Sequence, residues 1–302
     1  MDAGVLLLHG LFEHKGRHQI NSDWFENLNI SPHSIDLPGH GEETTIKGHI
    51  DSWEENNEAL KNGFRNLNNH TKKIVFGHSY GALIATYGVI NEIIKPDYLI
   101  LSAPLFKDNY PKFMRSLSRP LGNIAPKLRT ISPITKRNLS TDKGVVLDYF
   151  KDPLVFRTFT FRLGAEIAFV QDYVQENINR LTIPTIVLHG DNDKVCPIDG
   201  NKEISKLENV KFVTVNNSMH EILNQDTRMF VLSEIHEWLK GNKIISAGVI
   251  LPLSRQGISR YGTRHLAALG ITERFDRCIC IVVSEETGTL SLANQGKLER
   301  PI

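Results

Sequence analysis

Short, continuous apolar runs alternate with helical patterns from the first residues to about residue 240, and this alternation constrains the fold more than any other feature of the chain. Val5 to His9, His33 to Asp36, Lys73 to Gly77, Asp97 to Ser102, Thr185 to Gly190 and Val210 to Val215 read as strands. Most are apolar throughout rather than at every second residue, the pattern of parallel strands covered on both faces. Between them, Trp53, Leu60, Phe64 and Leu67 fall at near-helical spacing, Tyr80 to Ile94 is apolar almost all round, and Asp226 to Lys240 closes the series. The order predicts an α/β protein with a mostly parallel, doubly wound sheet.

Two stretches break the rhythm. Residues 107–180 follow a strand without leading quickly to the next. They contain Pro111, Pro120, Pro126 and Pro133, then a helical pattern from about Leu154 to Leu181. An insertion of that length in an α/β unit is expected to be a lid over a site. Its first part, residues 107–143, carries nine lysines and arginines against Asp108 and Asp142. Such a face is either solvated or a peripheral contact with a membrane surface. The second break is Gly241-Asn242. The texture changes there, so residues 1–241 are expected to form one domain and 242–302 a small α+β segment.

Composition excludes several classes. Of 302 residues, 40% are hydrophobic and 23% charged, and 35 lysines and arginines meet 34 acidic residues, for a net charge of +1. Nothing global draws such a chain to nucleic acid. Cys196, Cys278 and Cys280 are too few for a disulfide scaffold. No apolar run reaches the eighteen or so residues of a membrane helix, and Met1 to Val5 lacks a cationic leader, so a cytoplasmic location is expected.

The chemistry is concentrated at Gly77-His78-Ser79-Tyr80-Gly81, a G-x-S-x-G pattern directly after one predicted strand and directly before an apolar helix. Alone the pattern is weak; its context is what gives it meaning. A sharp strand-to-helix turn lifts a serine hydroxyl clear of the sheet, and side chains at either glycine would collide in so tight a turn. Serine needs a base, and the base an orienting carboxylate, in the chain order Ser, acid, His. Asp191, Asp193 and Asp199 compete for the acid role. Asp191 abuts a strand end and suits an Asx turn, whereas Asp193 lies in a loop able to reach across the sheet top. Among twelve histidines, His189 falls on a strand and His236 in a helix, which leaves His220 in a strand-to-helix loop. Acyl transfer also needs amide donors for an oxyanion, expected at Leu11, after His9-Gly10, and at Tyr80.

These residues together resemble the α/β-hydrolase superfamily, and most nearly its monoacylglycerol lipase and lysophospholipase group. The resemblance rests on Leu8-His9-Gly10-Leu11-Phe12-Glu13-His14, Asp36-Leu37-Pro38-Gly39-His40-Gly41, the serine motif, Pro184 to Asp193, and His220. It implies hydrolysis of fatty-acyl esters under a mobile lid, with no cofactor and no metal. Ser79, Asp193 and His220 would be the triad, and Leu11 and Tyr80 the oxyanion donors. Phe12 stands where many relatives carry a small residue and is expected to narrow the mouth. The chain opens almost at the oxyanion strand, without the leading strands that relatives usually place first, so an unprotected sheet edge is expected.

A second resemblance covers residues 244–302. Tyr261-Gly262-Thr263-Arg264-His265-Leu266, then Ile281 to Gly288 and Gly296-Lys297-Leu298, are similar to the second half of a diadenylate cyclase domain. The resemblance implies phosphate contacts from Gly262, Thr263, Arg264 and His265. The family's Asp-Gly-Ala metal motif has no counterpart upstream of residue 244, and Leu266 replaces a second arginine. Half a nucleotide site without its metal carboxylate is expected to be inactive, which makes a nucleotidyltransferase or ATP-binding module the alternative function. Cys278 and Cys280 would share one strand face as small core residues rather than a metal pair.

Overall fold

The structure is a computed structural model; it describes residues 2–110, 112–242 and 244, and within the C-terminal segment residues 268–269, 272, 279–283, 290–295 and 297–299. The chain divides into two compact units, Met1–Ser246 and Ala247–Ile302.

The first unit is built on six strands: β1 (Ala3–Leu8), β2 (Ile30–Ile35), β3 (Lys72–His78), β4 (Tyr98–Ser102), β7 (Thr185–Gly190) and β8 (Val210–Val215). Their order is β2-β1-β3-β4-β7-β8, and every pairing is parallel. Helices α1 (Gln19–Asn27), α2 (Glu54–Arg65), α3 (Tyr80–Ile90) and α7 (Arg228–Gly241) accompany them. Side chains alternate across the pleat and feed two cores. Leu6, Leu8, Val75, Leu99 and Leu101 pack with Leu60 of α2 and with α3. Val5, Leu7, Phe76, Ile100 and Leu188 pack with Phe25 of α1 and Leu232, Ile235 and Leu239 of α7. That two-sided burial is why the strands read as unbroken apolar runs.

β1 is interior, paired on both sides, and β2 forms the sheet edge beside it. Pro32 sits in β2, where a missing amide is tolerated because the outer side of an edge strand needs no ladder bond.

The insertion holds α4 (Lys112–Ile124), β5 (Arg129–Ile131), α5 (Lys143–Lys151), β6 (Thr158–Thr160) and α6 (Phe161–Asn177). Pro120 lies inside α4, and the helix continues through it while Gly122 lets it press against α6, a Cβ there falling 2.8 Å from Ala165. The long helix starts at Phe161, not near 154. Thr158–Thr160 pairs as a strand with Arg129–Ile131, and the Thr160 hydroxyl then caps α6 by accepting the Leu163 amide.

In the C-terminal unit, β9 (Ile279–Val283), β10 (Leu290–Asn294) and β11 (Lys297–Glu299) form an antiparallel sheet. Cys280 is opposite Ala293 and packs with Ala268 and Val282. Cys278 lies outside the described residues.

Candidate active site

Ser79 occupies the turn between β3 and α3 with φ +51°, a conformation rarely adopted outside glycine. The turn closes through the Ser79 amide to the Ser102 carbonyl at 2.9 Å and the Gly81 amide to the His9 carbonyl at 3.1 Å. A Cβ at Gly77 would fall 2.6 Å from the Ala82 main chain, and one at Gly81 2.4 Å from the Leu8 carbonyl oxygen. Both flanking glycines are therefore demanded by close backbone approach.

Asp193 and His220, 27 residues apart, meet at the end of the sheet. His220 Nδ1 lies 2.7 Å from Asp193 Oδ2, and because an ionised carboxylate only accepts, Nδ1 carries the proton. The other carboxylate oxygen accepts the Val195 and Cys196 amides at 2.8 and 2.9 Å, which fixes the turn that follows. Burial alone would raise the Asp193 carboxyl; His220 and His189 outweigh it and hold it well below the usual carboxylate range. For His220 burial pulls the imidazole down, yet Asp193 and the nearby Cys196 raise it well above 6.5.

The competing residues fall elsewhere. Asp191 is exposed and its carboxylate accepts the Ser218 amide at 3.2 Å. Asp199 pairs with Lys107. His189 lies beneath the acid, its Nε2 donating to the Cys196 carbonyl at 2.7 Å. His236 is half-buried on α7.

Among the described residues, no hydrogen bond joins Ser79 Oγ to His220. The hydroxyl instead lies 3.8 Å from Cys196 Sγ, a thiol that also neighbours the His220 imidazole. Catalytic hydrogen bonds in unliganded sites are commonly long and tighten when substrate arrives. Cys196 was read in the sequence only as part of a cysteine count; its position three residues after Asp193 was the available signal.

The loop after β1 is held by groups that sequence reading did not assign. His9 accepts the Leu37 amide at Nε2 (3.0 Å), and His40 Nε2 accepts the Phe12 amide at 3.3 Å. Burial pushes these two imidazoles down to about 3 and about 4, so both are neutral. Glu13 accepts the Gly10 amide at 2.6 Å and the Arg17 Nε at 2.8 Å. Gly10 and Gly81 thus have acceptors within the protein, whereas the amides of Leu11 and Tyr80 have none among the described residues.

A cavity of about 780 Å³, counting its solvent-open mouth, lies over Ser79. Leu11, Phe12, Leu105, Ile134, Phe159, Ile167, Ala168 and Val195 give it an apolar wall. Its charged lining groups, Asp108 and Arg115, face each other at 3.5 Å, and Arg115 also binds Gln171 at 2.8 Å and Asp172. Phe12 lines this space and is itself buried. Gly262, Thr263, Arg264 and His265 lie outside the described residues.

A serine on a strained turn, an aspartate–histidine pair at the same sheet end and an apolar cavity above them define an α/β hydrolase of the serine type. Comparison with known proteins agrees. The chain is 27% identical to a monoacylglycerol lipase of Mycolicibacterium smegmatis over 254 residues, covering 78% of this chain and 87% of that one. A crystal structure of Paleococcus ferrophilus monoacylglycerol lipase superposes with TM-score 0.73 at 24% identity, over 78% of this chain and 94% of that one. This chain spans about a quarter (26%) of an uncharacterized abhydrolase domain-containing protein of Dictyostelium discoideum, at 24% identity. The family model described as serine aminopeptidase, S33, matches residues 1–227, and the chain belongs to that family of α/β hydrolases. A second model, DisA bacterial checkpoint controller nucleotide-binding, matches residues 198–298. Over 66 residues the chain is 53% identical to a diadenylate cyclase of Listeria monocytogenes, of which it spans 24%. Among the described residues no helix is long and apolar enough to cross a membrane.

Proposed function

We propose that the protein hydrolyses single-chain fatty-acyl esters of neutral head groups, monoacylglycerol above all, through an acyl-enzyme on Ser79. One observation carries this reading: the His220–Asp193 pair at 2.7 Å beside a serine that opens into an apolar cavity. Ser79 Oγ attacks the ester carbonyl as His220 takes its proton, and Asp193 holds the imidazole in the required tautomer. The amides of Leu11 and Tyr80 stabilise the oxyanion, each worth about 3 kcal/mol of barrier. His220 returns the proton to the departing alcohol, and water activated by the same imidazole releases the fatty acid. A neutral head group is favoured because Arg115 is already paired with Asp108 and Asp172, leaving no unpaired cation among the described lining residues for a phosphate.

In this reading residues 1–241 form the hydrolase domain, with 107–180 as its lid. The lid meets the lipid surface: Phe113, Leu117 and Ile124 project exposed from one side of α4, with Leu128 and Ile131 beyond it, among basic residues. The test is fluorophosphonate labelling with monoacylglycerol turnover, and flotation on anionic vesicles. Loss of both labelling and turnover in Ser79→Ala is expected; an unaffected variant would overturn the assignment. A second reading is favoured only by the short cyclase-like match: nucleotide contact by residues 242–302. Incubation with ATP and Mn²⁺ is expected to yield no cyclic di-AMP, since the segment lacks a metal carboxylate motif.

A further inference from the structure

The thiol beside the nucleophile makes a donor set that ester hydrolysis does not use. Donor atoms of Asp193, Cys196 and His220 all lie within 4.8 Å of one another. All three residues are buried, Cys196 to 1% exposure and His220 to 2%. The Asp193 carboxylate, by accepting the Val195 and Cys196 amides, holds the turn that presents the thiol, so the cluster is assembled before any ligand arrives. A sulfur, an imidazole nitrogen and a carboxylate oxygen form the donor set that zinc selects, whereas calcium and magnesium take oxygen ligands. Tetrahedral zinc at roughly 2.0–2.3 Å from each ligand sets neighbouring donors about 3.3–3.7 Å apart. The set therefore closes on an ion by movements of about 1 Å. Ser79 Oγ, 3.8 Å from the sulfur, or a water would take the fourth position. Entry is through the cavity, whose wall includes Ser79 and Val195.

We infer that Asp193, Cys196 and His220 bind a zinc ion reversibly, and that the bound ion switches off ester hydrolysis. Zinc displaces the thiol proton to solvent and takes the Nδ1 lone pair, the imidazole proton passing to Nε2 as the hydrogen bond to Asp193 opens, with no change of oxidation state. An imidazole so engaged is no longer available to accept the proton of Ser79. The inhibitory consequence rests on the proposed hydrolase reading; the site itself does not.

The experiment titrates zinc against the full-length, chelator-treated protein while following p-nitrophenyl butyrate turnover, and titrates cobalt(II) in parallel by absorbance. Micromolar zinc is expected to inhibit, chelator to restore the rate, and cobalt to raise a thiolate-to-metal charge-transfer band. Cys196→Ala should lose the band and need at least about tenfold more zinc for half-inhibition, each variant being compared with its own zinc-free rate. Cys196→Ser keeps the size and polarity of the side chain without the soft donor, and should behave alike. Inhibition of both variants at the wild-type zinc concentration, or a wild-type protein without the thiolate band, overturns the site. Should the wild type turn over no ester at all, the hydrolase reading fails while the cobalt band still decides whether the site exists.

Discussion

The main-chain carbonyl of Phe12 accepts the amide of Phe156 at 3.1 Å, tying the loop that follows β1 to the inserted segment. The Phe12 ring adds T-shaped contact with Phe156 at 5.5 Å and tilted contact with Phe159 at 5.6 Å. Its backbone is left-handed, φ +76°, a strain of about 1–2 kcal/mol that the buried ring offsets. Phe12→Ala should therefore destabilise the fold by about 3–5 kcal/mol, the range for emptying a buried aromatic site. The midpoint of urea unfolding measures this, and a shift near zero would mean the ring is not a keystone between the loop after β1 and the inserted segment.

Replacing one member of the proposed triad should nearly abolish turnover. Asp193→Asn keeps the shape but lets Nδ1 lose its proton to the wrong tautomer, so kcat should fall about 10³–10⁴-fold with KM little changed. Combining it with Ser79→Ala should cost little beyond the single serine change, because the groups act as a unit. Steady-state kinetics on one short ester reads both. Additive losses would separate the two residues.

Much of this arrangement was legible along the chain, for identifiable reasons. Strands β1, β3, β4 and β7 are buried on both faces, and that leaves a mark no solvent-facing element carries. The glycines of the serine turn were legible because their demand is local: each meets backbone within 2.6 Å. Helix α1 was not, since it is a polar stretch that turns Asn21, Ser22 and Phe25 inward with no apolar period. The start of α6 was misplaced because β6 exists only through pairing with residues 129–131. Asp193 was separable from Asp191 and Asp199 by loop reach alone, and the place of Cys196 beside Ser79 and His220 was invisible, being a relation between segments 117 residues apart.

The pH profile should have its acid limb displaced upward. Burial lowers the His220 value, but Asp193 outweighs it and leaves the imidazole titrating well above 6.5. As pH falls through that raised value His220 gains a proton and cannot accept one from Ser79, so kcat/KM declines on the acid side. The limb of kcat/KM should thus lie above pH 6.5, and Asp193→Asn, which removes the carboxylate charge, should move the limb of its residual activity to lower pH. A wild-type limb below that value would mean the carboxylate does not control the base.

The length of acyl chain accepted should be set by α6. Phe161, Gly164, Ile167 and Ala168 follow one helical face into the cavity, and of these Gly164 leaves its place empty. Glycine inside a helix is about 1 kcal/mol worse than alanine, so the position serves the space rather than the helix. A Cβ at Gly164 would meet the Phe159 ring at 3.1 Å, contact that a small shift of the ring relieves. Gly164→Leu should accordingly fold at least as well as wild type while its side chain fills the slot. Losing room for two methylenes, at about 0.8 kcal/mol each, forfeits about 1.6 kcal/mol, or roughly 15-fold in kcat/KM. Across p-nitrophenyl esters, butyrate turnover should stay near wild type and palmitate turnover should fall by that factor or more. A parallel change at every length, with unaltered thermal stability, would place the chain along another wall.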